Sequence, residues 1–435
     1  VALLALTLLP LSAGAQEGEV VTTRLSYQDP ALDERVPAAG VRIIVTHENG
    51  EVVGEGTTDE EGVFVLEVPE PAVYTLEIDP ATLPEGVTLR DPERTTATVE
   101  VDPGSRGVAL FALQAGDGPV SAGGGNLRRV LQLGSEGIKL GLFLGMAAIG
   151  LSLIFGTTGL VNFAHGEMVT WGMLTAYFFN LFGLAGLFGF MEGWPWVLGN
   201  AVELPIAAVL AIGLGAGFGW VLDAGIFSPL RRRGVGLIAQ LVVTIGISIF
   251  LRYVYLYGFR GSPRFFRSYA GQPAINLGPV QITPKDLIAV IITIVVLVGV
   301  GLVLQRTRIG RAMRAVSDNR DLAESSGIDV QRVIRLVWVS GGALAALGGV
   351  FIGQADQIQW DLGFRILLLI FAGVILGGLG TAYGALVGCL LVGLFIQLST
   401  LFIPAELKNV GALVLLAVVL LIRPQGVLGR KERVG

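Results

Sequence analysis

The chain has 435 residues, 52% of them hydrophobic and 62 of them glycine, with a mean hydropathy of +0.69, which excludes an ordinary soluble globular protein in favour of an integral membrane protein. Its net charge of −5 conceals a division, because residues 16–125 hold 21 acidic side chains against 6 arginines and the rest of the chain is net positive. One cysteine, Cys389, and two histidines, His47 and His165, argue against an intrachain disulfide, redox chemistry and a histidine-based metal centre.

Residues 1–15 begin with an uncharged apolar run and end in Ser12, Ala13, Gly14 and Ala15, the pattern of a partial secretory signal peptide, so the segment that follows is expected to be exported. From 20 to 115 apolar side chains alternate at period two, as in Val41, Ile43 and Val45 or Tyr74, Leu76 and Ile78. Turn signals fall at Asn49-Gly50 and Glu61-Gly62. This spacing predicts an antiparallel all-β sandwich outside the cytoplasm. The stretch AGVRIIVTHENGEVVGEGTTDEEGVFVLEV resembles carboxypeptidase regulatory-like, transthyretin-like domains. Asp59, Glu60 and Glu61 lack the ordered spacing of a calcium loop and read as a solvated turn. Residues 116–135, opening with AGDGPVSAGGGN, read as a flexible linker.

Eight or nine membrane segments are expected, near 138–156, 164–182, 202–222, 236–257, 286–304, 336–354, 366–380, 383–402 and 410–422. The polar stretch 305–335 between two of them carries Arg306, Arg308, Arg311, Arg314, Arg320, Arg332 and Arg335, and that excess marks the cytoplasmic side. Nine crossings from an exported N-terminus also put Arg231, Arg232 and Arg233 and the basic C-terminus inside. Within the loop, spacing predicts two short helices with Gly327 ending the second in a left-handed residue.

Two stretches inside the apolar part draw attention. In GLVNFAHGEMVTWGM, Asn162 is placed to cap a helix starting at Phe163, with His165 following and Glu167 in the first turn. The three residues read either as an interfacial cap and anchor or as part of a substrate pathway, since ionisable groups at membrane depth are costly. Gly377, Gly378 and Gly380 in LGGLGTAYG are dense enough to break a helix and let backbone line a cavity. Trp194, Trp196 and Trp360 suit an interfacial belt. No phosphate-binding G-x-x-x-x-G-K-[ST] loop and no nucleophile-base pair stand out, so the expected role is a transport subunit without its own ATPase site.

The motifs GTTGLVNFAHGEMVTWG, FSPLRRRG with IAQLVVTIGISIFL, RTRIGRAMRAVSDNRDLAESSGIDVQRVIR, and VILGGLGTAYGALVG with LLIRPQGVLG run in order from about residue 136 to 430. In that order they resemble the first permease subunit of branched-chain amino acid ABC importers, a family that also includes permeases for urea and short amides. The resemblance implies a multi-pass protein of the bacterial plasma (inner) membrane with a cytoplasmic C-terminus, and no cofactor in this chain. ATP is bound by partners: two cytoplasmic ATPases, beside a homologous second permease and an extracytoplasmic solute-binding protein, with membrane lipid around them and no nucleic acid. It makes 305–335 a coupling loop, with Gly310, Arg311, Ala312, Ala323, Gly327 and Ile328 as its docking positions, the apolar ones entering a groove on an ATPase. The exported β domain departs from the family's short N-terminus. Two other classes stay open at this point: a proton-coupled carrier using Glu167, and a membrane-anchored scaffold built on the β domain.

Overall fold

The computed structural model describes residues 19–29, 34–89, 94–101, 106–109, 113–115, 126–183, 203–266 and 274–403, with scattered single positions outside those ranges. The proposed signal segment 1–15, the glycine-rich stretch before Asn126, Trp194, Trp196 and most of 410–430 lie outside the described residues. The chain falls into two compact units, one built of strands and one of helices.

The first unit holds eleven described strands. A three-stranded sheet has the order β10-β1-β6, from Arg106–Ala109, Glu19–Arg24 and Val63–Val68, and a four-stranded sheet has the order β5-β4-β7-β9, from Val52–Thr57, Arg42–His47, Val73–Ile78 and Thr96–Glu100. Short pairs add β2 with β3 (Ser26–Asp29 and Glu34–Pro37) and β8 with β11 (Val87–Leu89 and Leu113–Ala115). The expected alternation is seen in the registers, with Ile43 opposite Ile78 and Val45 opposite Leu76, all four buried. On β6, Phe64 and Val68 turn inward while Val65 faces out. One pairing differs from the all-antiparallel expectation, since β1 runs parallel to β10, Val20 opposite Arg106. Some eighty residues separate those two strands, so no tight turn constrains their direction. Asp59 accepts backbone hydrogen bonds from Glu61 (2.9 Å) and Val63 (2.8 Å), which makes its segment a tight local turn.

The second unit begins with α1, Asn126–Thr158, and α2, His165–Phe182. Residues 126–135, expected to be linker, are thus the first turns of a helix; beyond Asn126 the sequence NLRRVLQLGSEGIKL has enough Leu, Arg and Gln to sustain it despite two glycines. Then come α3 (Leu204–Leu222), a π-helical turn (Asp223–Phe227), α4 (Ser228–Arg232) and α5 (Leu237–Phe259). A short hairpin of β12 (Ile275–Leu277) and β13 (Val280–Ile282) precedes α6 (Pro284–Arg306), α7 (Arg308–Asp318), α8 (Arg320–Ser325), α9 (Val330–Ala355), α10 (Leu362–Gly377) and α11 (Ala382–Ser399). Among the described residues six helices are long and apolar enough to cross a membrane: Leu127–Thr158, Leu204–Arg232, Leu237–Phe259, Pro284–Arg306, Val330–Ala355 and Ala382–Ser399. The helices α10 and α2 are shorter or more polar and fall outside that set; α2 packs against α9 and α10.

Small residues set how closely the helices approach. Gly172 on α2 lies against Ala346 of α9, and Gly215 and Gly219 on α3 lie against Gly342 and Trp338 of α9, so close that a Cβ on any of the three glycines would enter the facing backbone or side chain. The helix α9 is consequently the hub against which α2 and α3 pack, and its residues Leu344 to Gly353 are buried without a break.

The link between α1 and α2 positions the site. Gly159 faces Leu237 at the start of α5, the Phe163 N–H donates to Thr244 Oγ1 (3.1 Å), Ser248 Oγ donates to Glu167 Oε1 (3.1 Å), and the Tyr255 hydroxyl donates to the Glu167 carbonyl (3.0 Å). From Leu237 to Thr244 is about 10 Å of helix rise. Residues 159–164 therefore climb beside α5 in non-helical form, and α2 starts inside the membrane unit. The His165 ring confirms the depth by bonding the Ala147 carbonyl (2.8 Å), eleven residues back along α1, or roughly 16 Å from its end.

Candidate functional site

Three of the six expected pathway residues meet at the buried start of α2. Asn162, His165 and Glu167 are all 0% exposed. The helix starts at His165 and not at Phe163; Asn162 Oδ1 accepts from the Ala164 N–H (3.0 Å) and its carbonyl accepts from the His165 N–H (3.2 Å), so the asparagine turns the chain into the helix from two residues upstream of its end. His165 is tied to α1 through Ala147 and is a packing residue that anchors the climbing segment. Glu167 Oε1 accepts from Ser248 and lies 3.6 Å from Arg252 Nε, while Glu167 Oε2 is buried with no hydrogen-bond partner among the described residues. The Arg252 guanidinium carbon stands 3.5 Å from the centre of the Phe364 ring, which adjoins Arg365 of the Asp361–Arg365 pair (2.8 Å) at the start of α10.

Arg252 escaped the sequence reading, although a signal existed. Gln240, Thr244, Ser248 and Arg252 recur at steps of four along an otherwise apolar helix, which places all four on one face. In the structure Gln240, Thr244 and Ser248 are buried on that face.

The glycine cluster is elsewhere. Gly377 ends α10, and Gly378 (φ 112°) and Gly380 (φ 78°) make the turn into α11. Gly377 packs against Gly384 with no space for a side chain, and Gly380 touches Gly156 in the last turn of α1. These residues form a tight helix hairpin at the end of the unit that carries the Arg-rich loop, where they pack closely. A chain that must reverse within four residues needs left-handed positions, and glycine adopts them without Cβ strain.

The Arg-rich loop folds as the two predicted short helices. Thr307 caps α7 through the Gly310 N–H (3.0 Å), Asn319 caps α8 through the Leu322 N–H (2.9 Å), and Asp329 caps α9 through the Arg332 N–H (2.9 Å). Gly327 has φ 84°, and around it the Ile328 N–H donates to the Ala323 carbonyl (3.1 Å). Arg311 and Gly327 are exposed, but Gly310 is wedged under the end of α6. Ala323 is buried, and Ala312 and Ile328 pack half-buried on the chain's own core. Helical periodicity sends them inward with Met313 and Val316. The apolar side chains left outside are Ile309 and Leu322, beside Arg308, Arg311 and Arg320. At the base of the loop Arg231 pairs with Asp223 (2.5 Å), both nearly fully buried, and Arg335 of α9 reaches within 3.9 Å of the same carboxylate.

The family described as branched-chain amino acid transport system / permease component matches residues 135–422, which take in both the buried cluster and the loop. The chain belongs to this permease family. Relatives extend the match over nearly their whole length. The High-affinity branched-chain amino acid transport system permease protein LivH of Escherichia coli (strain K12) is 32% identical over 309 residues, 69% of this chain and 96% of that protein. The corresponding protein BraD of Pseudomonas aeruginosa is 30% identical over 307 residues, 68% of this chain and 95% of that one. The Fructose import permease protein FruG of Bifidobacterium longum is 32% identical over 143 residues, but these are only 42% of its length. The permease is thus a multi-pass membrane protein whose strand-built unit precedes the matched region.

Proposed function

We propose that this permease carries branched-chain amino acids inward as one of two membrane-spanning subunits of an ATP-driven importer, bound to two cytoplasmic ATPases and served by an extracytoplasmic solute-binding protein. The observation that carries this reading is identity at about one residue in three to the LivH protein over 96% of that protein's length. The fructose permease covers less than half of its own length in the match, which favours an amino acid over a sugar as the solute. Urea or a short amide is the alternative within the family.

In this reading α7 and α8 are the part an ATPase grips. They are capped at both junctions and continuous with α9, so a push on them tilts α9 and, through its glycine contacts, α2 and α3. Docking falls to Ile309, Leu322 and Arg311, with Gly327 shaping the turn and Gly310, Ala312, Ala323 and Ile328 supporting it from inside. The arginine excess of the loop supports a cytoplasmic position for α7 and α8 in a bacterial inner membrane.

The test is uptake of labelled leucine and labelled urea into vesicles holding the permease with its partner subunits and binding protein, with and without internal ATP. Leucine uptake that requires ATP and is abolished by Arg311→Glu or Leu322→Glu supports the assignment. Uptake by this chain alone, driven by a proton gradient, would replace it with a carrier centred on Glu167.

A further inference from the structure

The buried pair at the start of α2 has features that helix packing alone does not require. Glu167 and Arg252 are opposite charges 3.6 Å apart, inside a membrane unit, at the place where the backbone of residues 159–164 is not helical. Non-helical backbone at such depth is tolerated where it is enclosed by protein or lines a path for a solute. One carboxylate oxygen of Glu167 is buried without a partner among the described residues, so the acid is not saturated by the chain's own donors. Exposure rises outward from the pair, from 0% at the Glu167 side chain and 18% at Arg252 to 45% at Phe364 and 58% at Arg365. Phe364 and Arg365 stand at the start of α10, the end of the unit opposite the Arg-rich loop.

We infer that Glu167 and Arg252 form an exchangeable gate that selects a zwitterion. This rests on the transport function proposed above. With the path closed the two side chains neutralise each other. As a free amino acid passes, its ammonium replaces Arg252 beside Glu167 and its carboxylate takes the guanidinium of Arg252, which already lies over the Phe364 ring. Parting a buried ion pair leaves two uncompensated charges, which is strongly unfavourable unless both gain new partners at once. A zwitterion supplies both, an amine or a carboxylic acid supplies one, and urea or a neutral amide supplies neither. The gate thereby favours amino acids over the other solutes of the family through electrostatics, independently of side-chain fit.

The experiment uses the complete importer without its binding protein, so that the permease makes the choice. A cysteine at Arg365→Cys, beside Phe364, is labelled with a membrane-impermeant thiol reagent; Cys389, the native cysteine, is fully buried and gives little background. Millimolar leucine is expected to slow labelling several-fold, isovalerate and isoamylamine are not, and the protection is expected to vanish when Glu167→Gln is added. In the full complex with binding protein, the double variant Glu167→Gln, Arg252→Gln keeps hydrogen-bonding groups at both positions and is expected to lose at least ten-fold in leucine uptake, whereas Arg252→Lys keeps most of it. Equal protection by all three compounds, no protection by leucine, or near-normal uptake by the double-glutamine variant would overturn the gate and make the pair a structural clamp. Each of those results is compatible with a wild-type complex that imports leucine, whereas a wild-type complex that fails to do so refutes the transport reading itself.

Discussion

The two units of this protein apply the same hydrophobic chemistry with opposite sense. In the strand-built unit Val21, Ile43, Val45, Leu76 and Ile78 are inside, because water is the surrounding solvent and burial of apolar area drives the fold. On α6 the order is inverted: Asp286 and Thr293 are buried on the inner stripe while Ile288, Ile291, Val295 and Val298 face outward. On α5 likewise Gln240, Thr244 and Ser248 are inside, and Ile238, Val242 and Phe250 are outside. Lipid is as apolar as isoleucine, so nothing drives these side chains inward, and the interior goes to small residues that pack closely and polar ones that find partners. The contrast is sharpest between α6 and α2. The helix of bulky aliphatic residues meets the rest of the unit along one stripe, whereas α2, with His165, Glu167, Thr170, Thr175 and Asn180, is buried along its length.

The comparison can be broken in several ways, beginning where the effect should be largest. Gly172→Leu drives a side chain into the backbone of Ala346 and is expected to cost at least about 3 kcal/mol, seen as loss of folded protein on detergent extraction. Gly213→Ala, on α3 with open space around it, is the matched control and should extract normally. In the other unit the aliphatic core carries the stability, so Leu76→Ala should destabilise it by about 2–5 kcal/mol, measured by denaturant-dependent proteolysis of the full chain. Val295→Asp, on the outward face of α6, is expected to cost about 2.5–3.5 kcal/mol, read as a reduced fraction of membrane-inserted chain. Removing one inner polar contact is milder: Thr244→Val deprives the Phe163 N–H of its acceptor and should cost about 1–2 kcal/mol in thermal stability. The smallest effect belongs to Val65→Asp. It is as exposed as Val295 but faces water, and its change should stay within about 0.5 kcal/mol. Similar penalties for Val295→Asp and Val65→Asp would refute the assignment of different solvents to the two units.

Much of this was legible in the sequence because it depends on near neighbours. Period-two alternation marked β4, β6 and β7, and the arginine run marked the loop. Thr307, Asn319 and Asp329 hold the caps their types prefer, and Gly327 ends its helix in the conformation that glycine favours. Ordered motifs carried the family. The inward turn of Ala323 follows from the same helical spacing that buries Met313 and Val316.

What only the tertiary structure decided are matters of who meets whom. Glu167 and Ser248 are 81 residues apart, and His165 is set by a carbonyl on another helix. Hydropathy measures how a segment partitions into a bilayer, and it is blind to the depth at which a helix begins, so it could not show that residues 159–164 climb the side of α5. Glycine spacing likewise signalled close approach without naming the surface approached: Gly377 meets Gly384. Solvent preference and backbone propensity are properties of a short stretch and are written in its residues. Partner choice is a property of the assembled bundle, fixed by which backbones can come close enough for one polar group to satisfy another.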